Sequence, residues 1–274
     1  IAGIEQNLGL QTEAIVLYRR YDHNLQSIFG GSFAEQGSFP SNETGFYMGM
    51  SHTFSSFLKF HAYADTYQFP APRFQTSRPT SGSDYLFQID FEPHRNLLIY
   101  LLARSKNRQS EFSVQDNAGR EVRITALSSR RGIRIQSEWT PAVFLRLRTR
   151  FERTEATSSE GVVSQGTLFF QDLRLTPNRR FKLDLRVTLF RTDDYPSRVY
   201  QYENDLLYVM SNTMLYGEGV RYYALLNLKT HSRFDIHAKL STTVYRDRSE
   251  ISSGNLRIAG NRRSDAGIQF RLRM

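Results

Sequence analysis

The chain has 274 residues, no cysteine and a net charge of +9 at pH 7, with Arg spread along its length rather than gathered in a tail. This excludes disulfides, thiol nucleophiles and cysteine metal sites, and it fits a nucleic-acid surface, a polyanion-facing surface or a charged lumen. No run of about 18 apolar residues occurs, so no transmembrane helix is expected.

The start "IAGIEQN" has neither Met nor a basic-then-apolar leader, and is expected to open a processed chain or a piece of a longer one. From there, period-two alternation dominates and helical spacing is scarce. A first strand is read over "LQTEAIVLYRRY", followed by a long polar stretch from 22 to 42. Its "IFGGSF" lacks the strand-to-helix context of a phosphate loop and is read as plain loop. "TGFYMGMSHTF" then turns at Ser55 and Ser56 into "FLKFHAYADTYQF". After the proline-bearing "PAPRFQTSRPTSG", "SDYLFQIDFE" turns at Pro93 into "LLIYLLARSK". Residues 107 to 127 are read as a long polar connection. "RRGIRIQSEW" and "VFLRLRTRFER" flank a turn at Pro141, and "GTLFFQDLRL" and "RFKLDLRVTLF" flank one at Pro177. The longest gap, 192 to 218, precedes "VRYYALLNLK", a turn at His231 and Ser232, and "RFDIHAKLSTTVYRDR". A Ser/Gly/Asn-rich loop and "SDAGIQFRLRM" end the chain.

Tight turns on one side and long connections on the other are the asymmetry of membrane barrels, whereas soluble sandwiches mix their connections. Segments of about 9 to 12 residues also suit tilted membrane strands. The expectation is therefore all-β: an antiparallel up-and-down transmembrane β-barrel of about twelve strands, spanning 1–274 as a single domain, or part of a larger barrel. On "RFKLDLRVTLF" an oily face opposes Lys182, Asp184 and Arg186. By the same alternation Arg146, Arg148, Arg150, Asp235, His237, Lys239, Arg271 and Arg273 are expected to face the lumen, with ion pairs across neighbouring strands. Tyr18, Tyr21, Tyr63, Tyr67, Trp139, Tyr222, Tyr223 and Tyr245 fall near strand ends, as interfacial girdles require.

"YENDLLY" and "YGEGVRYY", together with the ordered texture "YRRYDHNLQSIFGGSFAEQGS", "NETGFYMGM", "AYADTYQFP", "GSDYLFQIDFEP", "FFQDLRLTP" and "GNRRSDAGIQFRLRM", resemble the C-terminal barrel-like region of large Bacteroidota helix-hairpin-helix domain-containing outer-membrane proteins. The similarity spans nearly the whole chain, and its specific part is "YENDLLY" with "YGEGVRYY". It implies a C-terminal portion that lacks the helix-hairpin-helix module, so nucleic-acid binding is not expected through these residues. One departure is the terminal Met274, where outer-membrane strands often end in an aromatic.

The six histidines show no metal spacing, and neither a nucleophile elbow nor a phosphate loop is present, so no catalytic residue, metal or cofactor is assigned. Asp193, Asp194, Glu203 and Asp205 form an acidic loop cluster. It is read either as a loop ordered by Arg191, Arg198 and Arg221 or, as an alternative, as the site of an outer-membrane hydrolase in 192–218. Arg146, Arg148 and Arg150 with Phe144 and Phe151, and Arg130, Arg131 and Arg134, leave a second alternative, a soluble polyanion- or DNA-binding module. The leading expectation is a bacterial outer-membrane pore, or the scaffold of a transport or assembly complex. Its partners would be lipid or lipopolysaccharide and other outer-membrane or periplasmic subunits, with anions favoured in the lumen.

Overall fold

In the computed structural model, which describes residues 1–25, 33–36, 40–74, 76–231 and 233–272, antiparallel strands follow one another along the chain. Thirteen share one sheet. These are β1 (Ala2–Asn7), β2 (Thr12–Tyr21), β3 (Glu43–Ser55), β4 (Leu58–Phe69), β5 (Thr80–His94), β6 (Leu97–Gln115), β7 (Glu121–Ala142), β8 (Leu145–Thr157), β9 (Val163–Asn178), β10 (Phe181–Thr192), β13 (Glu218–His231), β14 (Phe234–Tyr245) and β17 (Arg262–Leu272). Each neighbours the next in that order, which makes the sheet up-and-down. Two short pairs stand outside it: β11 (Val199–Glu203) with β12 (Ser211–Leu215), and β15 (Glu250–Ile251) with β16 (Ile258–Ala259). The twelve strands expected from alternation are all present. The thirteenth, β1, is exposed along its whole length and carries no face pattern to read.

One end of the sheet has two-residue turns at 56–57, 95–96, 143–144 and 179–180. Pro93, Pro141 and Pro177 are not in the turns themselves; each is the penultimate residue of its strand. Backbone bonds link successive turns: Thr140 N–H donates to Asn96 O (2.8 Å), and Thr176 N–H to Phe144 O (2.7 Å). The turn expected at His231 and Ser232 falls partly outside the described residues, as do most of "IFGGSF", Arg273 and Met274.

The stretch from 107 to 127 is not a loop. β6 and β7 carry it as a hairpin closed at 116–119, where the Asp116 carboxylate accepts the backbone N–H groups of Ala118 (2.8 Å) and Arg120 (2.9 Å). At 19 and 22 residues these strands are the longest of the sheet, and their far parts form a two-stranded ribbon. Polar residues stand on both faces of its first strand, Asn107, Gln109 and Glu111 on one and Arg108 and Ser110 on the other, which is why its sequence reads as a loop.

The chain divides into two compact units: residues 1–91, 101–133 and 155–163, and residues 92–100, 134–154 and 164–274. In the first, one cross-strand row runs Arg19, Gly45, Tyr67, Gly82, alternating a large side chain with none. A Cβ on Gly45 would lie 2.4 Å from Arg19 Cζ, and one on Gly82 2.4 Å from Tyr67 Oη, so the large groups lie flat across the glycines. On the opposite face Val16, Tyr18, Phe46, Met48, Met50, Tyr85 and Phe87 are exposed.

In the second unit, β10 shows the same inversion. Asp184 and Arg186 are 2% exposed, whereas Val187 and Leu189 are 50% and 46% exposed. Water as the surrounding solvent would make that arrangement costly on both faces, while hydrocarbon outside and a polar interior reverse both terms. A small apolar core, Leu168, Phe170, Phe190, Val199, Leu215, Tyr245 and Ile251, sits on the polar face at the end bearing the long connections.

The expected aromatic girdle is only partly present. Tyr18, Trp139 and Tyr222 are exposed, Tyr63 is half-buried, and Tyr21, Tyr67, Tyr223 and Tyr245 are buried. Phe54, Phe57, Phe91 and Phe144, beside the tight turns, are exposed in their place.

Candidate functional site

Strand alternation brings charged side chains of both signs onto the polar face of the second unit, and antiparallel register sets them opposite one another. Arg186 faces Asp172, Asp184 faces Arg174, and Asp235 faces Arg271. Asp172 accepts from Arg186 Nη2 (2.7 Å) and from Arg148 Nε (2.9 Å), so one carboxylate serves two guanidiniums. Asp184 pairs with Arg174 and lies 3.5 Å from Lys182 Nζ. Arg146 pairs with Glu138 (3.0 Å), Arg134 with Glu152 (2.7 Å), and Arg150 donates to Gln136 (2.8 Å). Asp235 accepts from Arg271 Nε (2.9 Å), and His237 meets Asn227. The Phe170 ring lies under Arg186, Arg150 and Arg148 at 4.0, 4.9 and 5.8 Å. The candidates named here therefore stand in a polar ladder, each with a polar or charged neighbour beside it.

The gap read over 192 to 218 as a long loop carries the β11–β12 pair, and its residues 193–217 fold onto this face. Gln201 accepts from Thr188 Oγ1 (2.8 Å), and Tyr202 O accepts from Arg186 Nη1 (2.7 Å), both on β10. Glu203 takes two bonds from Arg221 on β13 (2.6 and 2.9 Å) and lies 3.3 Å from Lys239 on β14. Asp205 also holds Lys239 (2.6 Å), and Leu207 N–H donates to Gln269 on β17 (2.8 Å). In this way 201–207 crosses β10, β13, β14 and β17 in turn. Two glycines admit it: a Cβ on Gly166 would meet Ser197 O at 2.2 Å, and one on Gly267 would meet Leu206 Cδ1 at 2.9 Å. A cavity of about 440 Å³ remains beside the segment, lined by Asp205, Ser211, Arg221, Lys239, Thr243 and Asp265 among others.

Glu203 stands on β11 in this inserted segment, outside the thirteen-stranded sheet. Burial pushes its carboxyl up, but the Arg221 hydrogen bonds and the charges of Arg221 and Lys239 outweigh burial and hold it below its ordinary value.

The first unit repeats the theme. Arg19, fully buried, bonds Glu43 (2.7 Å) and Asp65 (2.7 and 3.1 Å). Glu35 N–H donates to both Glu43 oxygens, Lys106 holds the Glu35 carboxylate (2.8 Å), and Phe33 packs edge-on to Tyr47 at 5.1 Å. Part of the connection between β2 and β3 thus also lies on the polar face.

The acidic cluster does not come together as an acid–base site. Asp193 accepts from Gln165 N–H (2.8 Å), Asp194 is engaged with Ser197, and Glu203 and Asp205 are held by Arg221 and Lys239. Among the residues expected to order the loop, Arg221 holds Glu203, and Arg198 bonds Tyr200 Oη (2.6 Å) and Tyr195 O (3.0 Å) within the loop itself, while Arg191 faces Glu218 at its end (3.8 Å). Among the described residues no group of three or more His, Asp or Glu is placed to hold a metal. The proposed basic and aromatic patch is split too. Arg146, Arg148 and Arg150 lie on the polar face of β8, while Phe151 is exposed on its other face and Phe144 is exposed in the preceding turn.

No family model and no curated protein matches the chain. Among solved structures it is similar to the siderophore receptor PiuA from Acinetobacter baumannii, at 11% identity and TM-score 0.57, covering 98% of this chain and 52% of that one. It is also similar to a variant of the ferric enterobactin receptor PfeA from Pseudomonas aeruginosa, at 10% identity and TM-score 0.52, covering 98% of this chain and 56% of that one. The fold is that of an outer-membrane β-barrel sheet. The chain spans about half the length of these receptors.

Proposed function

We propose that this chain is a wall of an outer-membrane β-barrel that serves passage of polar solutes, with the segment 193–217 occluding the polar face at rest. One observation carries the reading: buried Asp184 and Arg186 alternate with exposed Val187 and Leu189 on a single strand. Oily side chains outside, a charged ladder inside, and neighbours that are receptors of the outer membrane all support a transport role over hydrolysis. The anion preference expected from Arg content is proposed only in weak form. Over β7 to β10 the polar face carries Arg134, Arg146, Arg148, Arg150, Arg174, Lys182 and Arg186 against Glu138, Glu152, Asp172 and Asp184. Membership among the helix-hairpin-helix proteins is likewise a proposal, and it rests on "YENDLLY" and "YGEGVRYY".

The test is conductance of the intact chain in planar bilayers, before and after 199–215 is replaced by a short Gly/Ser linker. Higher conductance with a modest anion preference is expected after replacement. No conductance from either protein, both heat-modifiable on gels, would leave scaffolding and remove permeation.

A further inference from the structure

The outward face of the second unit changes chemistry abruptly toward the end bearing the long connections. Phe151 on β8, Phe169 on β9 and Leu189 on β10 are 46%, 41% and 46% exposed. Two residues further along the same strands stand Arg153, Thr167 and Arg191, a step of about 6–7 Å. Register continues the polar row: Arg191 faces Glu218 on β13, and Arg246 follows β14 beside Glu218, while Arg262 on β17 faces Val244 one step lower, level with Leu189.

Four exposed arginines thus edge the apolar face, three of them level with the half-exposed carboxylate of Glu218. Its contacts to Arg191 and Arg246, at 3.8 and 3.9 Å, are too long for hydrogen bonds. The side chains of Arg191 and Arg246 are 74% and 64% exposed, in contrast to the closely paired arginines of the polar face. A groove of about 250 Å³ joins the two chemistries, with Phe151, Phe169 and Leu189 on its apolar side and Arg191, Glu218 and Arg246 at its rim.

We propose that this face binds a phosphorylated glycolipid of the outer leaflet, with its phosphates on Arg153, Arg191, Arg246 and Arg262 and an acyl chain along Phe151, Phe169 and Leu189. Guanidinium forks match phosphate oxygens in pairs, and the apolar step below has the depth at which acyl chains begin. The long connections mark this end as the outer one, which selects the outer-leaflet lipid over periplasmic-leaflet phospholipid. The inference rests on the reading that the oily face meets hydrocarbon.

Native mass spectrometry of the detergent-purified full chain, titrated with bis-phosphorylated lipid A and separately with phosphatidylglycerol, tests it. The native protein should hold lipid A in preference to phosphatidylglycerol. The variant R153Q/R191Q/R246Q/R262Q should hold lipid A at least about tenfold more weakly, the equivalent of losing one charge-assisted contact. R257Q removes an exposed arginine paired with Glu250 outside this row, and should leave binding unchanged. Should the fourfold variant not assemble, R191Q and R246Q singly should each weaken lipid A binding. Equal binding by variants and native protein, or no preference over phosphatidylglycerol, overturns the proposal. A chain that is soluble without detergent would instead remove the membrane reading beneath it.

Discussion

Asp172 is the residue on which the β8 to β10 wall turns, because two guanidiniums on its two neighbouring strands share its carboxylate. Replacing it with Asn keeps the shape and removes the charge. Arg186, whose side chain is 1% exposed, then lacks its counter-charge, and breaking such a pair costs about 3–5 kcal/mol. D172N should lower the urea midpoint in detergent accordingly. D172L/R186M should cost less than D172N alone, since a buried pair replaced as a unit by apolar groups is near neutral. Glu203 makes a second prediction, on pH. Its carboxyl is held below the ordinary value of 4.5, so its stabilisation is complete above that value and fades as pH falls through the lower, folded value. The thermal midpoint should therefore drop on acidification below about 4.5, and E203Q should be less stable at neutral pH and flatter in acid. An acid limb of equal depth in E203Q would assign the pH dependence to other carboxylates.

At the scale of elements, the inserted segment is held by residues that the sequence had already set apart. "YENDLLY" supplies Glu203, Asn204 and Asp205, and "YGEGVRYY" supplies Arg221 and Tyr223, which receive Glu203 and Asn204. The two motifs stand out from strand texture because they are the two sides of one contact. What the sequence could not tell was that the contact lies inside, because an acidic loop in a basic protein reads equally well as an ordered outer loop. β10 was legible for the opposite reason: its pairing residues repeat at period two, and tight turns fix where it starts. The set Arg153, Arg191, Arg246 and Arg262 was illegible because its members come from β8, β10, the residue after β14 and β17, and gather only through register. The glycines at the root of the segment separate rigid from yielding contacts. Gly166→Ala drives a methyl into Ser197 O, a backbone atom, and should loosen 193–217 enough to admit protease. Gly267→Ala meets only the flexible end of Leu206 and should leave cleavage near the native rate. Equal protease resistance in both variants would mean that the segment is held by its side-chain bonds alone.

For the molecule as a whole, the deciding quantity is which solvent meets the oily face. The exposed apolar side chains occur on strand after strand, Met48, Phe87, Val187, Leu240 and Phe270 among them, and no described segment covers them. A face of that kind in water would be an aggregation surface, whereas in lipid it is what holds the sheet in place. Val187→Arg and Leu189→Lys distinguish the two, because each puts a charge where an exposed apolar side chain now stands. In hydrocarbon a mid-plane Arg or Lys costs about 2–4 kcal/mol, with the penalty shrinking toward the interface, so V187R should lose more than a change nearer the row of arginines. In water the same exposed substitutions would stay within about 0.5 kcal/mol and would raise solubility. Folding free energies measured by urea titration into phosphatidylcholine vesicles therefore carry opposite expectations for the two solvents. A loss of kcal/mol size in V187R, with R257Q unchanged as the control for charge itself, places β10 in the bilayer. Near-zero change in V187R would place its oily face in water instead.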